Sequence, residues 1–452
     1  MAFPTVHVYG AFADDPLTNA PTLTDIGADA TQFDTDRGRN FELDYVLTGK
    51  SHVTLKNTNR HYDPLFAAGP YFGALTANRH FRIAATYAGH TYPLWGGFAD
   101  NYQLTTDDLS NRWAQTDLEL SGPFKWLAPN KLEPITPWIL EDPVYGLVGT
   151  AIVAGQLIFP VDPEHSGDRI GTILDLFPFP ASMRDVDTGI TYLLRDGTPD
   201  TGGALDPNDT ALSYCQMIQD SEGGRFHEGP NGEAVFWARD HWTYTVSQFY
   251  PQATFADTPG ANGYTAIVVD PEDDRYVRNQ IIRTRRDWAS PIVAISPGST
   301  ATYGPLPDER RIISHYSADV IAQVRWILAK YRGASERVSQ LTINPLANPS
   351  VLFPLVLGLD IGDKITVSRK PAGVGPPIVA DYWIERIQHK VSAQQTWETV
   401  WQLAPADTVA PWLVAAEAPT ALLGSATPAR VNDAVFPIPM PGAPPGSPYT
   451  FA

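Results

Sequence analysis

The sequence predicts a mainly β fold with an α+β insert, and three observations carry that expectation. Short runs of alternating apolar and polar residues recur toward both ends of the 452-residue chain, with the period of half-buried strands. Amphipathic stretches of helical period are scarce, and only one is strong. The 41 prolines and 12 tryptophans suit many short strands joined by rigid turns around aromatic cores.

A chain of this length is expected to fold as two to four domains. Residues 1–130 read as a first barrel-like or sandwich-like β region. Phe41, Leu43, Tyr45 and Leu47 alternate with polar neighbours. Gly49-Lys50 marks a turn, and Val53 and Leu55 resume the pattern, which together predict a hairpin. Phe81, Ile83, Ala85 and Tyr87 form another strand, turned at Gly89-His90, and Leu118, Leu120, Phe124 and Leu127 close the region.

Residues 131–255 mix α and β. A helix is expected over Arg169–Leu176, capped near Ser166 or Asp168 and stopped by Pro178 and Pro180. A second is expected from Pro207, with Asp206 as cap, ending at Gly223-Gly224. The runs 225–227 and 234–237 flank a turn at Gly229–Gly232, a hairpin.

Residues 256–405 read as a second β region with one amphipathic helix. Strands are expected at Val277–Arg285, Val338–Ile343, Ile361–Ser368, Tyr382–Val391 and Trp397–Leu403. The helix begins at Ser317 as cap. Val320, Ile321, Val324, Ile327, Leu328 and Tyr331 make its stripe, and Gly333 stops it. No sequence repeat relates the two β regions. Residues 406–452 are rich in Pro, Ala, Gly and Ser, a composition that favours extended backbone, either a free tail or an arm laid on a neighbour.

Composition excludes several classes of function. The formal charge of −18 opposes binding to phosphate backbones. The basic cluster Arg278, Arg283, Arg285 and Arg286 lies among acids (Asp270, Glu272, Asp273, Asp274 and Asp287), which predicts salt bridges rather than a nucleic-acid site. The single cysteine, Cys215, precludes an intrachain disulfide and is expected to be a small buried apolar residue. No run of apolar residues is long enough for a membrane span, so no membrane anchor is expected. The opening residues lack the pattern of a signal peptide.

Motifs for chemistry are weak throughout. Gly373-Val374-Gly375-Pro376 does not open a helix as a phosphate loop requires. His52, His61, His80 and His90 stand singly. Asp270–Asp274 and Asp185–Gly189 lack the spacing of a calcium loop. No catalytic triad, carboxylate pair, cofactor site or metal site is assigned.

Four segments carry a resemblance. Arg37-Gly38-Arg39-Asn40-Phe41-Glu42-Leu43-Asp44 is followed by Val53–Asn57 and Tyr62-Asp63-Pro64. Next come Ser166-Gly167-Asp168-Arg169 with Leu174-Asp175, then Ser221-Glu222-Gly223-Gly224. The last is Gly362-Asp363, followed by Ile384-x-x-Ile387-x-His389. In this order they resemble minor tail proteins of actinobacterial siphophages, which are akin to the baseplate hub family of contractile phages. The resemblance implies two tail-tube-like β-barrel domains flanking a mixed hub region. It also implies a non-enzymatic homotrimer at the tail tip, assembled in the host cytoplasm, whose six barrels meet a six-fold ring. Its implied partners are a distal tail or tail tube protein, the tape measure protein and tip or fibre minor tail proteins. Genomic DNA would pass through the lumen without specific binding, and the acidic charge predicts a lumen that is not basic. Two other readings are a distal tail protein ring of six copies and a tail-associated cell-wall hydrolase or carbohydrate-binding adhesin. Twelve tryptophans would suit sugar stacking, but Trp95, Trp126, Trp326, Trp397 and Trp401 fall in expected cores.

Overall fold

The computed structural model describes residues 3–106, 114–132, 151–153, 156–158, 164–194, 209–241, 250–258, 262–271, 273–287, 290–392 and 395–406. The Pro-rich arm lies outside these residues from 407 onward.

Seven strands come first. They are β1 (Thr5–Gly10), β2 (Thr24–Asp25), β3 (Ala30–Gly38), β4 (Lys50–Lys56), β5 (His80–Tyr87), β6 (His90–Thr106) and β7 (Ala114–Ser121). The insert holds a hairpin β8 (Ala151–Val153) and β9 (Gln156–Ile158), α1 (Ser166–Leu176), β10 (Arg184–Val186), α2 (Ala211–Glu222), β11 (Arg225–Glu228) and β12 (Ala234–Trp237). Then follow β13 (Ala253–Ala256), β14 (Ala266–Asp270), β15 (Gln280–Arg285), β16 (Ile292–Ile295), α3 (Pro297–Tyr303), β17 (Pro307–Ile312) and α4 (Ser317–Tyr331). The described part ends with β18 (Arg337–Ile343), α5 (Pro349–Gly358), β19 (Lys364–Arg369), β20 (Ile378–Val391) and β21 (Trp397–Pro405).

The fold is mainly β, and one 13-stranded sheet dominates it. The order is β14-β18-β21-β20-β3-β4-β7-β6-β5-β1-β2, with β19 on β20 and β13 on β19. Within it the chain repeats itself. Strands β3-β4-β7-β6-β5 and β14-β18-β21-β20-β19 share one spatial order, one chain order and antiparallel pairing throughout. The fourth strand of each, β6 or β20, is long. Its first half pairs with the third strand and its second half with the fifth. Each has a bulge in its pairing with the fifth strand, between Ala99 and Asn101 in β6 and between Ile384 and Arg386 in β20. Matching the bulges makes Asp100 the counterpart of Glu385. The repeats part company further out, where β1 runs antiparallel to β5 but β13 runs parallel to β19.

One hydrophobic cluster runs through both repeats. Trp95 and Phe81 belong to the first and Trp397, Trp401 and Ile387 to the second. Helix α5 fills the second repeat between its second and third strands and buries Leu352, Phe353, Val356 and Leu357. Phe353 meets Trp397 at 5.5 Å and Tyr87 of the first repeat at 5.1 Å between ring centroids. A second cluster gathers the insert around α1, α2 and the β11–β12 hairpin, with Cys215 fully buried in it. A third joins β15, β17 and α4 through Ile281, Ile312, Val320, Val324 and Ile327.

Several local expectations need correction. Residues 41–47 are not a strand; β4 pairs instead with β3. Their alternation reflects two different destinations, since Phe41 enters the cluster beneath α4 and Val46 that of the insert. The strand expected from Val277 begins at Gln280, after a 3-10 turn at Asp274–Tyr276, and lies in a separate three-stranded sheet, β16-β15-β17. The start expected for α2 at Pro207 lies outside the described residues, and the helix runs from Ala211. Its cap is Thr210, whose side chain accepts from the Ser213 amide while Ser213 answers the Thr210 amide. Ser317 is the first residue of α4 rather than its cap, and its Oγ accepts from Arg285 Nη1 at 2.7 Å.

Candidate functional site

The place where the two repeats meet gathers the densest chemistry. Strand β3 of the first repeat lies against the second half of β20, from Gly38 opposite Arg386 to Phe33 opposite Val391. Gly38 is required there. Its φ of +112° is unfavourable for residues with a Cβ, and a Cβ would collide with the Glu385 carbonyl and the Arg386 backbone.

On the buried side, the β20 bulge turns Glu385 inward. Arg39 Nε donates to Glu385 Oε2 at 2.8 Å, and Arg225 Nη2 of the insert to Oε1 at 2.5 Å. Burial pushes the Glu385 carboxyl up, but the two guanidiniums outweigh it and hold the group below the usual range. Arg37 donates through Nε to the Leu94 carbonyl at 3.1 Å and pairs with Asp360. Glu42 binds Arg337 at 2.7 Å. The Arg37–Glu42 segment therefore secures the first repeat to the second.

The other resemblance segments are structural as well. Glu222 of α2 accepts from Ser166 Oγ at 2.7 Å and from the Thr191 amide at 2.8 Å. Gly362, at φ +90°, packs against the Trp237 ring of the insert. Asn57 and Asp63 accept backbone amides of the loop that follows β4, from Tyr62 at 3.0 Å and Leu65 at 2.9 Å respectively.

A cavity of about 190 Å³ opens where loop 39–43, α2, β17, α4 and the end of β21 converge. Its charged lining pairs within itself and with the walls: Arg310 with Asp220 at 2.6 Å, Arg283 with Asp308 at 2.6 Å, and Arg39 with Glu385. Burial raises the Asp220 carboxyl, partly offset by Arg310. Three members of the basic cluster singled out in the sequence are thus salt-bridged, with Arg283 and Arg285 buried and Arg285 on Asp287 at 2.6 Å, while Arg278 donates to the Arg275 and Val277 carbonyls at 2.8 and 2.7 Å. Arg286 reaches Asp209 at 2.8 Å.

The opposite, outward face of the joined sheet is polar. It carries Asp34 and Asp36 on β3, Lys50 and His52 on β4, Asp117 and Glu119 on β7, Arg386 and Lys390 on β20 and Glu398 on β21. With Lys56 of β4 added, five carboxylates stand beside four permanent cations, so this face is not basic. Arg386 Nε bridges the two repeats here, donating to Asp36 Oδ1 at 2.6 Å.

The remaining candidates do not converge on a centre. His80 is buried and its burial drops it to about 3, while His52 lies 3.6 Å from Asp117 on the polar face. Among the described residues, no group of three His, Cys, Asp or Glu side chains is placed to hold a metal. Gly373 and Gly375 lie in an exposed turn with positive φ. Among the described residues no helix is long and apolar enough to cross a membrane.

The sequence reading missed Glu385 and Glu228. A signal for the first exists: the buried residues Tyr382, Ile384, Ile387, His389 and Val391 skip by three at one step, which marks the bulge. Glu228 had none. Its carboxylate, at the end of β11, accepts from the Gly49 amide at 2.7 Å and the Phe124 amide at 2.9 Å. Burial raises it to about 7 although those amides oppose the shift.

With this geometry in hand, solved structures offer a comparison. The fold matches that of a tail protein from Neisseria meningitidis MC58 with a TM-score of 0.52 at 13% identity, covering 89% of this chain and 96% of that one. It also matches the 43 kDa tail protein of prophage MuSo2 from Shewanella oneidensis, with a TM-score of 0.51 at 10% identity, covering 90% and 99%. This chain shares the fold of phage tail proteins. No family model matches the sequence, and no curated protein does.

Proposed function

We propose that the chain is a structural, non-enzymatic component of a phage-type tail, the trimeric hub that closes the tail tube at its tip until DNA ejection. The observation that carries this reading is the internal repeat: one chain supplies two five-strand units joined edge to edge, so three chains supply six. A ring of six such units matches a six-fold tube or distal tail ring above while presenting three-fold symmetry below. The likeness to tail proteins along nearly the whole chain supports it. The polar, non-basic outward face suits a tube wall past which nucleic acid slides without sticking. The distal tail or tube protein, the tape measure protein and tip or fibre proteins are its proposed neighbours.

Copy number per tail, by mass measurement or image reconstruction of intact particles, tests the reading. Three copies at the tip are expected. Six copies in one ring would assign the chain to the distal tail position instead, and absence from the particle would overturn the structural role. The hydrolase or adhesin alternative gains no support from the charged cavity, whose ion pairs tie modules together.

A further inference from the structure

We propose that neighbouring copies of this chain join through β14 of one copy and the second half of β6, Asn101–Thr106, of the next, in the register of the β3–β20 joint. The proposal rests on the hub reading only for the number of copies in the closed ring.

The argument is one of equivalence. Within the chain, the first strand of one repeat (β3) pairs with the second half of the fourth strand of the other (β20). The two counterparts left over are β14, the first strand of the second repeat, and the second half of β6, the fourth strand of the first. Both are open. β14 pairs only with β18, and β6 beyond its bulge only with β7, so each presents a free backbone edge among the described residues.

The side chains along these edges look like an uncovered version of the internal joint. In that joint, His389 on β20 is buried, 3% exposed. Its counterpart on β6, counting from the bulge, is Leu104, which is 40% exposed. Val268 on β14 is 44% exposed, and no other described strand covers it. A single chain that leaves both halves of a known pairing geometry unfilled, with apolar residues on each, is self-complementary in the head-to-tail sense. Repeating one joint between copies generates a ring when the rotation closes.

Register follows from the pairs already present. Asp34 stands opposite Lys390 in the internal joint. Through their partners on the second and fifth strands, Asp34 corresponds to Val268 and Lys390 to Thr105. Val268 of one copy should therefore face Thr105 of the next.

The test uses full-length chains carrying Thr105→Cys or Val268→Cys, mixed and mildly oxidised. Because each bears one new thiol, a link between positions 105 and 268 forms only between chains. The native Cys215 is buried with its thiol raised by burial, which keeps it silent. The expected result is a disulfide dimer with a yield about tenfold above an off-register mixture of Asn101→Cys with Val268→Cys, since bridging demands close Cβ approach. The double variant Thr105→Cys/Val268→Cys should give covalent species ending at three chains. Oligomers without the 105–268 link would overturn the edge pairing and leave the hub reading standing. Linked species that close at a number other than three would uphold the pairing and sink the three-copy hub. No association and no link at concentrations where the chain is soluble would overturn the pairing.

Discussion

Glu385 and Asp100 occupy the same step of the repeat, each at the bulge of a long fourth strand, and live in opposite surroundings. Glu385 is 2% exposed and held by Arg39 of the first repeat and Arg225 of the insert. Asp100 is exposed and met by Lys125 at 2.6 Å and, more loosely, by Lys50 at 3.8 Å. The strand plan is shared; what differs is the neighbour. β3 and the insert cover β20, whereas no described strand other than β7 lies along the second half of β6. A residue's energetic weight in such an array is set by what docks beside its strand, more than by its place in the repeat.

The largest expected effect tests this directly. Glu385→Ala strands two guanidiniums in a buried joint, and removing one partner of a buried pair costs about 3–5 kcal/mol. Asp100→Ala, at the equivalent step, should cost at most about 1 kcal/mol in the isolated chain because its pairs are solvent-screened. Urea unfolding midpoints of the two variants measure the contrast. Similar losses for both would break the comparison and mean that the bulge itself, not its cover, holds the structure.

Next in size is Gly38→Val. The left-handed backbone alone disfavours a branched residue by about 1–3 kcal/mol, and the collision with the Glu385 carbonyl adds to it. Because Gly38 stands at the end of the inter-repeat ladder, hydrogen exchange should show β3 and β20 losing protection before β5 and β6. Uniform loss across the sheet would mean that the repeats do not separate there.

How much of this was legible beforehand follows from physics acting at different ranges. The mainly β character showed in period-2 runs, because each strand buries one face locally. Helix α4 showed in its apolar stripe and α1 in the prolines that stop it, although His165 rather than Ser166 or Asp168 stands at the α1 cap. Helix α5 did not: its segment Pro-Ser-Val-Leu-Phe-Pro-Leu-Val-Leu-Gly is apolar all round with Pro354 inside, so periodicity carries no signal. The repeat also stayed hidden, since matching positions such as Leu118 and Trp401 need only be apolar, and one of a pair such as Asp100 and Glu385 is covered while the other is bare. Edges stay hidden for a related reason. Read alone, β4 and β15 look like any other strand, yet β4 lies between β3 and β7, and β15 between β16 and β17. An edge is a property of pairing between distant segments, which no local pattern records. Of the joint, the Arg37-Gly38-Arg39 and Glu42 residues stood out through resemblance, while their partners Asp360, Glu385 and Arg337 lie some 300 residues away and became visible only in three dimensions.

Glu228 sharpens the comparison from the insert's side, through pH. Its folded value, about 7, lies above the ordinary value of 4.5. The folded protein therefore holds a proton that the unfolded chain releases between these two values. Stability contributed by this group is complete at low pH, falls as pH rises from about 4.5 to about 7, and levels off above that. Glu228→Gln removes the titration, so the difference in unfolding free energy, wild type minus variant, should decline across that window. A constant difference would mean that the amides of Gly49 and Phe124 keep the carboxylate ionised in the fold.

The smallest effect belongs to the outward side of the same joint. Asp36 and Arg386 pair across β3 and β20, but both side chains keep about a quarter to a third of their surface in solvent (30% and 24%). Water and salt screen such pairs, and Asp36→Asn should cost no more than about 1 kcal/mol, with the loss shrinking as ionic strength rises. The ladder beneath is backbone to backbone and survives the change. Measured beside Glu385→Ala, this variant separates the two faces of one strand pair: the buried face fixes how the repeats sit, and the polar face stays wet and tolerant. A loss in Asp36→Asn that matched Glu385→Ala and ignored salt would mean that the outward face is itself buried against something and is not a solvent-lined surface at all.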